Sequence, residues 1–255
     1  MSLEACAALV ETADPDRHAV TVLAPGKAQQ VLWPLYAFNV EVSRAPWVTQ
    51  EPMIAEMRLQ WWRDALDEIA EGKPVRTHEV TLPLAHILDR EGALRLGDLV
   101  EARRWDIYAE PFADRAAFDT YIDATYGTLV WTAARLLGAD DEGLIRELAY
   151  ADGVAAMLRA TPELIARGRH PLPDTSAAGV AQLAETALSR RREVLARRVD
   201  IAAGARPALM AGWRSSAILG QACRAPQDIL VEGVRQSEFA RRWSLLKAGV
   251  FGKLG

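Results

Sequence analysis

The chemistry-bearing residues with the most telling spacing lie in the stretch LAYADGVAAMLRATPELIARGRHPLP, Leu148 to Pro173. Arg159, Arg167 and Arg169 follow a small-residue segment carrying Ala149, Ala151, Gly153, Ala155 and Ala156. Small side chains let another helix backbone or a bulky ligand come close, so this helix is expected in the interior. Pro162 lacks a backbone N–H and pushes its predecessor out of helical geometry, which predicts a stop or kink near Arg159. Guanidinium forks match phosphate oxygens, so three arginines at the mouth of an apolar helical cavity suit a diphosphate. The same run also reads as a solvated basic loop.

Other candidate groups are weaker. Asp119 and Asp123 are spaced four apart on one helix face, and Asp64, Asp67 and Glu68 have metal-like spacing but follow Arg63 on a polar face. His18, His78, His86 and His170 form no HExxH or close pair and read as structural or surface residues. There is no Walker loop or dinucleotide-binding glycine pattern, and Gly212-Trp213-Arg214-Ser215-Ser216 fails the nucleophile-elbow pattern. Hydrolase and dinucleotide chemistry therefore have no footing.

Apolar periodicity predicts helices throughout the chain. A short helix and an apolar run fill residues 1–24 around Asp14-Pro15-Asp16. An inner helix spans Ala28 to Pro46 with a bend at Pro34. A helix capped by Thr49 ends at Gly72, with Met57, Trp61 and Leu66 as its core stripe. Two shorter helices, Val80 to Arg90 and Leu96 to Arg104, are separated by Gly92. A long one runs from Asp114 to Leu137, with close packing expected at Gly127. A charged helix from Ala177 to Ala203 and an apolar one from Arg206 to Cys223 follow. The terminal RRWSLLKAGVFGKLG mixes Arg241, Arg242, Lys247 and Lys253 with Trp243, Leu245, Leu246, Val250 and Phe251. That composition suits a membrane interface or a helix packed on the core.

With 255 residues, 50% hydrophobic and 25% charged, the chain has the composition of a globular protein with one large helical domain or two modest ones. A net charge of −4 argues against nucleic acid as a partner. Cys6 and Cys223 give neither a zinc site nor a disulfide framework. Neither a spanning segment nor a signal-peptide pattern is found, so a cytoplasmic location is expected. Abundant Arg and Ala fit a GC-rich bacterial genome.

Leu158-Arg159, Glu163, Arg167-Gly168-Arg169 and Leu172-Pro173 resemble the second signature of the squalene and phytoene synthase family, roughly L-R-D-x-x-E-D-x-x-R-G-R-x-x-L-P. Leu35-Tyr36-Ala37-Phe38 resembles the opening of its first signature, and Arg58, Leu59, Trp61 and Trp62 its R-L-x-x-W-W segment. Tyr126-Gly127-Thr128 stands where the family has small residues and a tyrosine lining its cavity. The resemblance, in motif order from Ala19 to Pro173 and beyond that only in helical character, implies an all-α, single-domain isoprenoid-synthase-like bundle around a central cavity; the domain is expected to span 1–255, with 237–255 peripheral. It implies ligand contacts at Tyr36, Asn39, Arg58, Tyr126, Arg159, Arg167 and Arg169.

The departures bear on function. The family's metal-binding aspartates fall here on Ser43, Trp47, Ala160 and Leu164, none of which can take over that role. Without magnesium to neutralise a departing diphosphate, negligible synthase turnover is expected, with no catalytic residue, no metal ligand and no cofactor. Trp47 and Leu164 should make the former metal region apolar. The order FNVE, RLQWWRD, LRATP, LP is closest to a divergent branch of the family linked to respiratory complex I biogenesis. The expected role is therefore non-catalytic. The partner would be a respiratory-complex subunit or assembly protein, the ligand a prenyl or lipid chain, and the location peripheral at the inner membrane face. The alternatives are an active head-to-head prenyltransferase using magnesium and displaced acids (Glu41, Asp119, Asp123, Asp152 or Glu163), and a prenyl or lipid carrier.

Overall fold

Helix α9, Glu142–Ala166, is the element on which the rest is assembled. The computed structural model of the chain describes residues 2–49, 51–108 and 110–251, with side chains described through 248. Among the described residues there are helices and turns and no strand. Before α9 come α1 (Leu3–Ala13), α2 (Pro15–Val22), α3 (Gly26–Arg44), α4 (Pro52–Ala70), α5 (Thr81–Ile87), α6 (Arg90–Ala102), α7 (Arg115–Ile122) and α8 (Thr128–Leu136). After it come α10 (Ala177–Ala196), α11 (Arg206–Leu209), α12 (Ser215–Arg224), α13 (Pro226–Val231) and α14 (Glu238–Phe251).

The first turns of α9 bury Leu144, Ile145, Leu148 and Ala149 in an apolar cluster with α1, α3, α4, α6 and α8. Its middle turns bury Tyr150, Ala151, Val154, Ala155 and Leu158 in a second cluster with α7, α10, α12 and α13. One helix thus joins both halves of the core. The small-residue segment is interior, as its composition predicts. At Gly153 an added Cβ would lie 2.7 Å from the Ile122 Cγ2 and 2.9 Å from the Tyr126 Cβ, so only glycine lets the neighbouring chain approach this closely.

Several boundaries differ from the sequence expectation. Helix α9 runs through Pro162 to Ala166. The proline removes one helical bond, but Leu158 and Thr161 in the turn before it are fully buried and the Thr161 hydroxyl donates to the Met157 carbonyl at 2.8 Å. Packing holds the turn. The helix ends instead at Gly168 (φ +73°), where the Gly168 N–H donates to Ile165 O and the Arg169 N–H to Leu164 O. That is a Schellman cap, which requires the left-handed residue. The helix from 115 to 136 is continuous but holds a π-helical turn at Asp123–Gly127. Asp114 caps it by accepting from the Ala117 N–H at 2.8 Å.

Gly92 lies inside α6, and the break falls at Asp89, which accepts from the Gly92 N–H at 2.8 Å. Glu51 rather than Thr49 is the N-cap residue of α4. The core stripe of α4 is Ala55, Leu59, Trp62 and Leu66, while Met57 is exposed. The segments expected at 177–203 and 206–223 end or break early, with short 3-10 turns at Arg198–Asp200 and Met210–Gly212. Val250, Phe251 and Lys253 lie outside the described side chains.

Candidate functional site

The last turn of α3 and the 3-10 turn Ala45–Trp47 present Ser43 and Trp47, and α9 presents Ala156, Ala160 and Leu164 at helical spacing. All five line one cavity of about 180 Å³, together with Trp105, Tyr108, Tyr121, Tyr126 and Met157. The four positions where the resemblance places aspartates therefore share one hollow, whose wall is mostly apolar and aromatic with Arg103, Asp106 and Arg169 as its charged members.

Trp47 is clamped. The Arg167 and Arg169 guanidinium carbons sit 5.2 and 5.0 Å from its ring centroid. Arg169 also donates to the Ile107 carbonyl at 3.2 Å, and Arg167 to the Glu163 carboxylate at 2.5 Å. Two of the three arginines suited by type to a diphosphate thus make cation–π contacts with one indole and bonds to protein acceptors, Arg167 with half of its side chain still exposed.

Asp106 is the one carboxylate lining this cavity. It is bound by Arg103 at 3.1 Å and by the Tyr121 hydroxyl at 2.6 Å. Burial, first, and the Asp106 charge push Tyr121 well above its ordinary pKa, so it stays a neutral donor. Magnesium requires several oxygen ligands in octahedral array, usually one or two carboxylates and a substrate's phosphates. Ser43, Trp47, Ala160, Leu164 and one carboxylate already bound by Arg103 and Tyr121 do not fit that ion. Among the described residues no three His, Cys, Asp or Glu side chains come together to hold a metal.

A second, smaller hollow of about 50 Å³ lies on the other side of Tyr126, bordered by Asp14, Asp16, Arg17, Asp152, Arg159 and Arg214. Asp16, at the start of α2, accepts from Arg159 and Arg214 at 2.6 Å and from Arg241 at 3.1 Å. Burial alone would raise its pKa, but the Arg214 hydrogen bond and charge, with Arg159 and Arg241, outweigh it and hold the carboxyl below the ordinary value. Deeper in, Asp152 pairs with Arg191, fully buried, at 2.5 Å. Burial pushes this carboxyl upward, against the Arg191 charge. Arg191 also donates to the Gly212 carbonyl and the Ser216 hydroxyl.

The structure disperses the seven expected contact residues. Tyr126 lines both hollows, Arg169 the larger and Arg159 the smaller. Arg167 and Arg169 together border an open hollow of about 520 Å³ on the outer side of Trp47. Tyr36 and Asn39 are buried and line neither of the two hollows; the Tyr36 hydroxyl donates to the Ala208 carbonyl at 3.3 Å. Arg58 is exposed on α4 and also lines neither. The displaced acids are each held by an arginine: Glu41 by Arg44, Asp119 by Arg115, Asp123 by Arg146, Asp152 by Arg191 and Glu163 by Arg167. Asp16 and Arg191 were not singled out by the sequence. A signal for Arg191 existed: it falls in register with the buried stripe Val180, Ala184, Ala187 and Val194.

The family model described as squalene/phytoene synthase matches residues 10–237. Among relatives, the chain is 30% identical over 166 residues to the "NADH dehydrogenase (ubiquinone) complex I, assembly factor 6 homolog" of Drosophila melanogaster, covering 62% of this chain and 50% of that protein. It is 25% identical over 173 residues to assembly factor 6 of Bos taurus, covering 66% and 52%. The chain thus spans about half the length of the curated relatives it matches. Among solved structures, a dehydrosqualene synthase in complex with ligand superposes with a TM-score of 0.78 at 15% identity, covering 98% of this chain and 95% of that one. The squalene synthase HpnC of Alicyclobacillus acidocaldarius gives 0.70 at 17% identity, covering 87% and 93%. At those identities the likeness speaks for the fold, and the match over residues 10–237 makes this chain a member of the squalene/phytoene synthase family.

Proposed function

We propose that this chain is a non-catalytic member of the family that acts in the assembly of respiratory complex I, as a cytoplasmic protein lying peripherally at the inner face of the membrane. The observation that carries the non-catalytic half is the Trp47 clamp. An indole occupies a metal-carboxylate position, and the two arginines nearest it are spent on its faces. The assembly half is supported by the likeness to the assembly factor 6 proteins, and the partner is a complex I subunit or another assembly protein. Residues 1–255 work as one domain in this reading.

The apolar cavity favours a second role beside the first, the holding of a prenyl or lipid chain. Engineered cavities of about 150 Å³ hold one benzene ring, and pockets for drug-sized ligands run from about 300 Å³. At about 180 Å³ this one takes the end of a chain, not two prenyl diphosphates side by side.

Two measurements test the proposal. Purified protein with farnesyl diphosphate and magnesium should release no pyrophosphate above the buffer rate; sustained release would overturn the non-catalytic reading. Removing the protein from its host should deplete assembled complex I on native gels of membranes, and unchanged levels would overturn the assembly reading.

A further inference from the structure

Helix α14 presents two apolar faces, and the protein itself covers only one of them. Leu245 and Ala248 pack on the larger core cluster, and Arg241 reaches Asp16 at 3.1 Å. On the opposite side Phe239, Trp243 and Leu246 are 79%, 52% and 49% exposed. Their spacing, four and then three, puts all three on one stripe of the helix. Arg242 and Lys247 fall on either flank of that stripe, about 60–80° from its centre at 100° per residue. The one acid described on α14 is Glu238, already engaged by Arg241 and Arg242. Helix α2, which α14 contacts, ends in Val22 and Leu23, each 51% exposed.

We infer that this outer face of α14 is a docking surface for an anionic lipid bilayer. The inference rests on the peripheral-membrane part of the proposed function and names the surface responsible. An aromatic and aliphatic stripe bordered by cations is the composition that sinks into the headgroup boundary, where rings bury their apolar bodies and Lys or Arg meets lipid phosphate. The charge is local, because the chain as a whole carries −4. No helix among the described residues is long and apolar enough to cross a membrane, so the attachment is one of lying on the surface. The Asp16–Arg241 bond fixes α14 against the core and so turns the stripe outward.

The exposed start of α4, with Met53 and Met57 at 75% and 67%, is a competing apolar face. The N-cap and first turns of α4 carry Glu51 and Glu56 beside Arg58, so the charges there are mixed and the cationic border is missing.

The test is co-sedimentation of the full chain with vesicles of phosphatidylcholine alone, or of phosphatidylcholine and phosphatidylglycerol in about a 3:1 ratio. Expected is binding to the anionic vesicles that weakens at least about tenfold in Phe239→Ser/Trp243→Ser/Leu246→Ser and in Arg242→Glu/Lys247→Glu. Met53→Ser/Ile54→Ser/Met57→Ser should bind as the parent does. The apolar side chains changed are about half or more exposed and Arg242 is exposed, while Lys247 is half-buried, so unchanged thermal unfolding should accompany both triple variants, which carry the comparison. Binding lost with the α4 variant and kept with the α14 variants would overturn the choice of surface while leaving membrane association standing. Failure of the parent to bind any vesicle would overturn both. A concentration-dependent dimer that the α14 variants abolish, without vesicle binding, would identify a second copy as the occupant and overturn the lipid assignment.

Discussion

Asp16 shows what single residues decide in this protein. Its carboxylate gathers arginines from α9, the turn before α12 and α14, so three sequence-distant elements depend on one side chain. Hydrogen bonds to charged groups contribute about 1.5–3 kcal/mol each when buried, less where a partner is wet, as Arg159 and Arg241 partly are. Asp16→Asn should therefore lower stability by on the order of 2 kcal/mol. It should also speed amide hydrogen exchange across 238–248 more than elsewhere; uniform exchange in the variant would show that α14 is held by other contacts. The pH dependence follows from the sign of the shift. A carboxyl held below its ordinary value stabilises the fold above that value, and the contribution is lost as pH falls through the folded one. The protection of α14 amides, exchange corrected for its intrinsic pH dependence, should thus be flat from neutral pH down to about 4 and fall below it, and in Asp16→Asn it should be low throughout.

At the scale of elements, the contact that matters most is the seating of α9 against the π-helical turn 123–127, because that turn aims Tyr126 between the two hollows. A π-turn inserts one extra residue per turn and is common beside functional sites. Gly153 allows the approach. Gly153→Leu should cost about 1–3 kcal/mol through overpacking, since even a methyl group would meet the Ile122 and Tyr126 side chains. Gly97→Ala in α6 should change stability in the opposite direction by up to about 1 kcal/mol, because nothing lies within 4 Å of the added methyl group. Chemical denaturation of the two variants measures this; equal effects would mean that helix propensity, not close approach, governs both sites.

For the whole molecule, a fold shared with a dehydrosqualene synthase surrounds a hollow of about 180 Å³. Metal loss and cavity size can be separated by experiment. Ser43→Asp/Trp47→Asp/Ala160→Asp/Leu164→Asp returns carboxylates to four positions that line one cavity. Calorimetry should then detect magnesium binding absent from the parent, because facing carboxylates at helical spacing supply the oxygen donors the ion requires. Release of pyrophosphate from farnesyl diphosphate should still not appear, since two chains need more room than this interior offers. Robust turnover would mean that carboxylates alone had been limiting and that the cavity opens on demand.

The sequence by itself determined the all-helical class and the interior place of the small-residue segment, and it puts Ser43, Trp47, Ala160 and Leu164 where the resemblance expects acids. Each of these follows from local periodicity or from residue identity at a motif position. Tertiary structure decided the rest. Pro162 reads as a helix end because its missing N–H is a local property, whereas the burial of Leu158 and Thr161 that carries the helix past it belongs to the packed core. Met57 is apolar yet exposed, and Arg191 is charged yet fully buried, since burial is set by what packs on a face and not by residue type. The commitment of Arg159 to Asp16, and of Arg167 and Arg169 to Trp47, joins residues more than a hundred positions apart. Spacing along a chain carries no record of such partners, because the field that draws a guanidinium to its acceptor acts through the folded space between them.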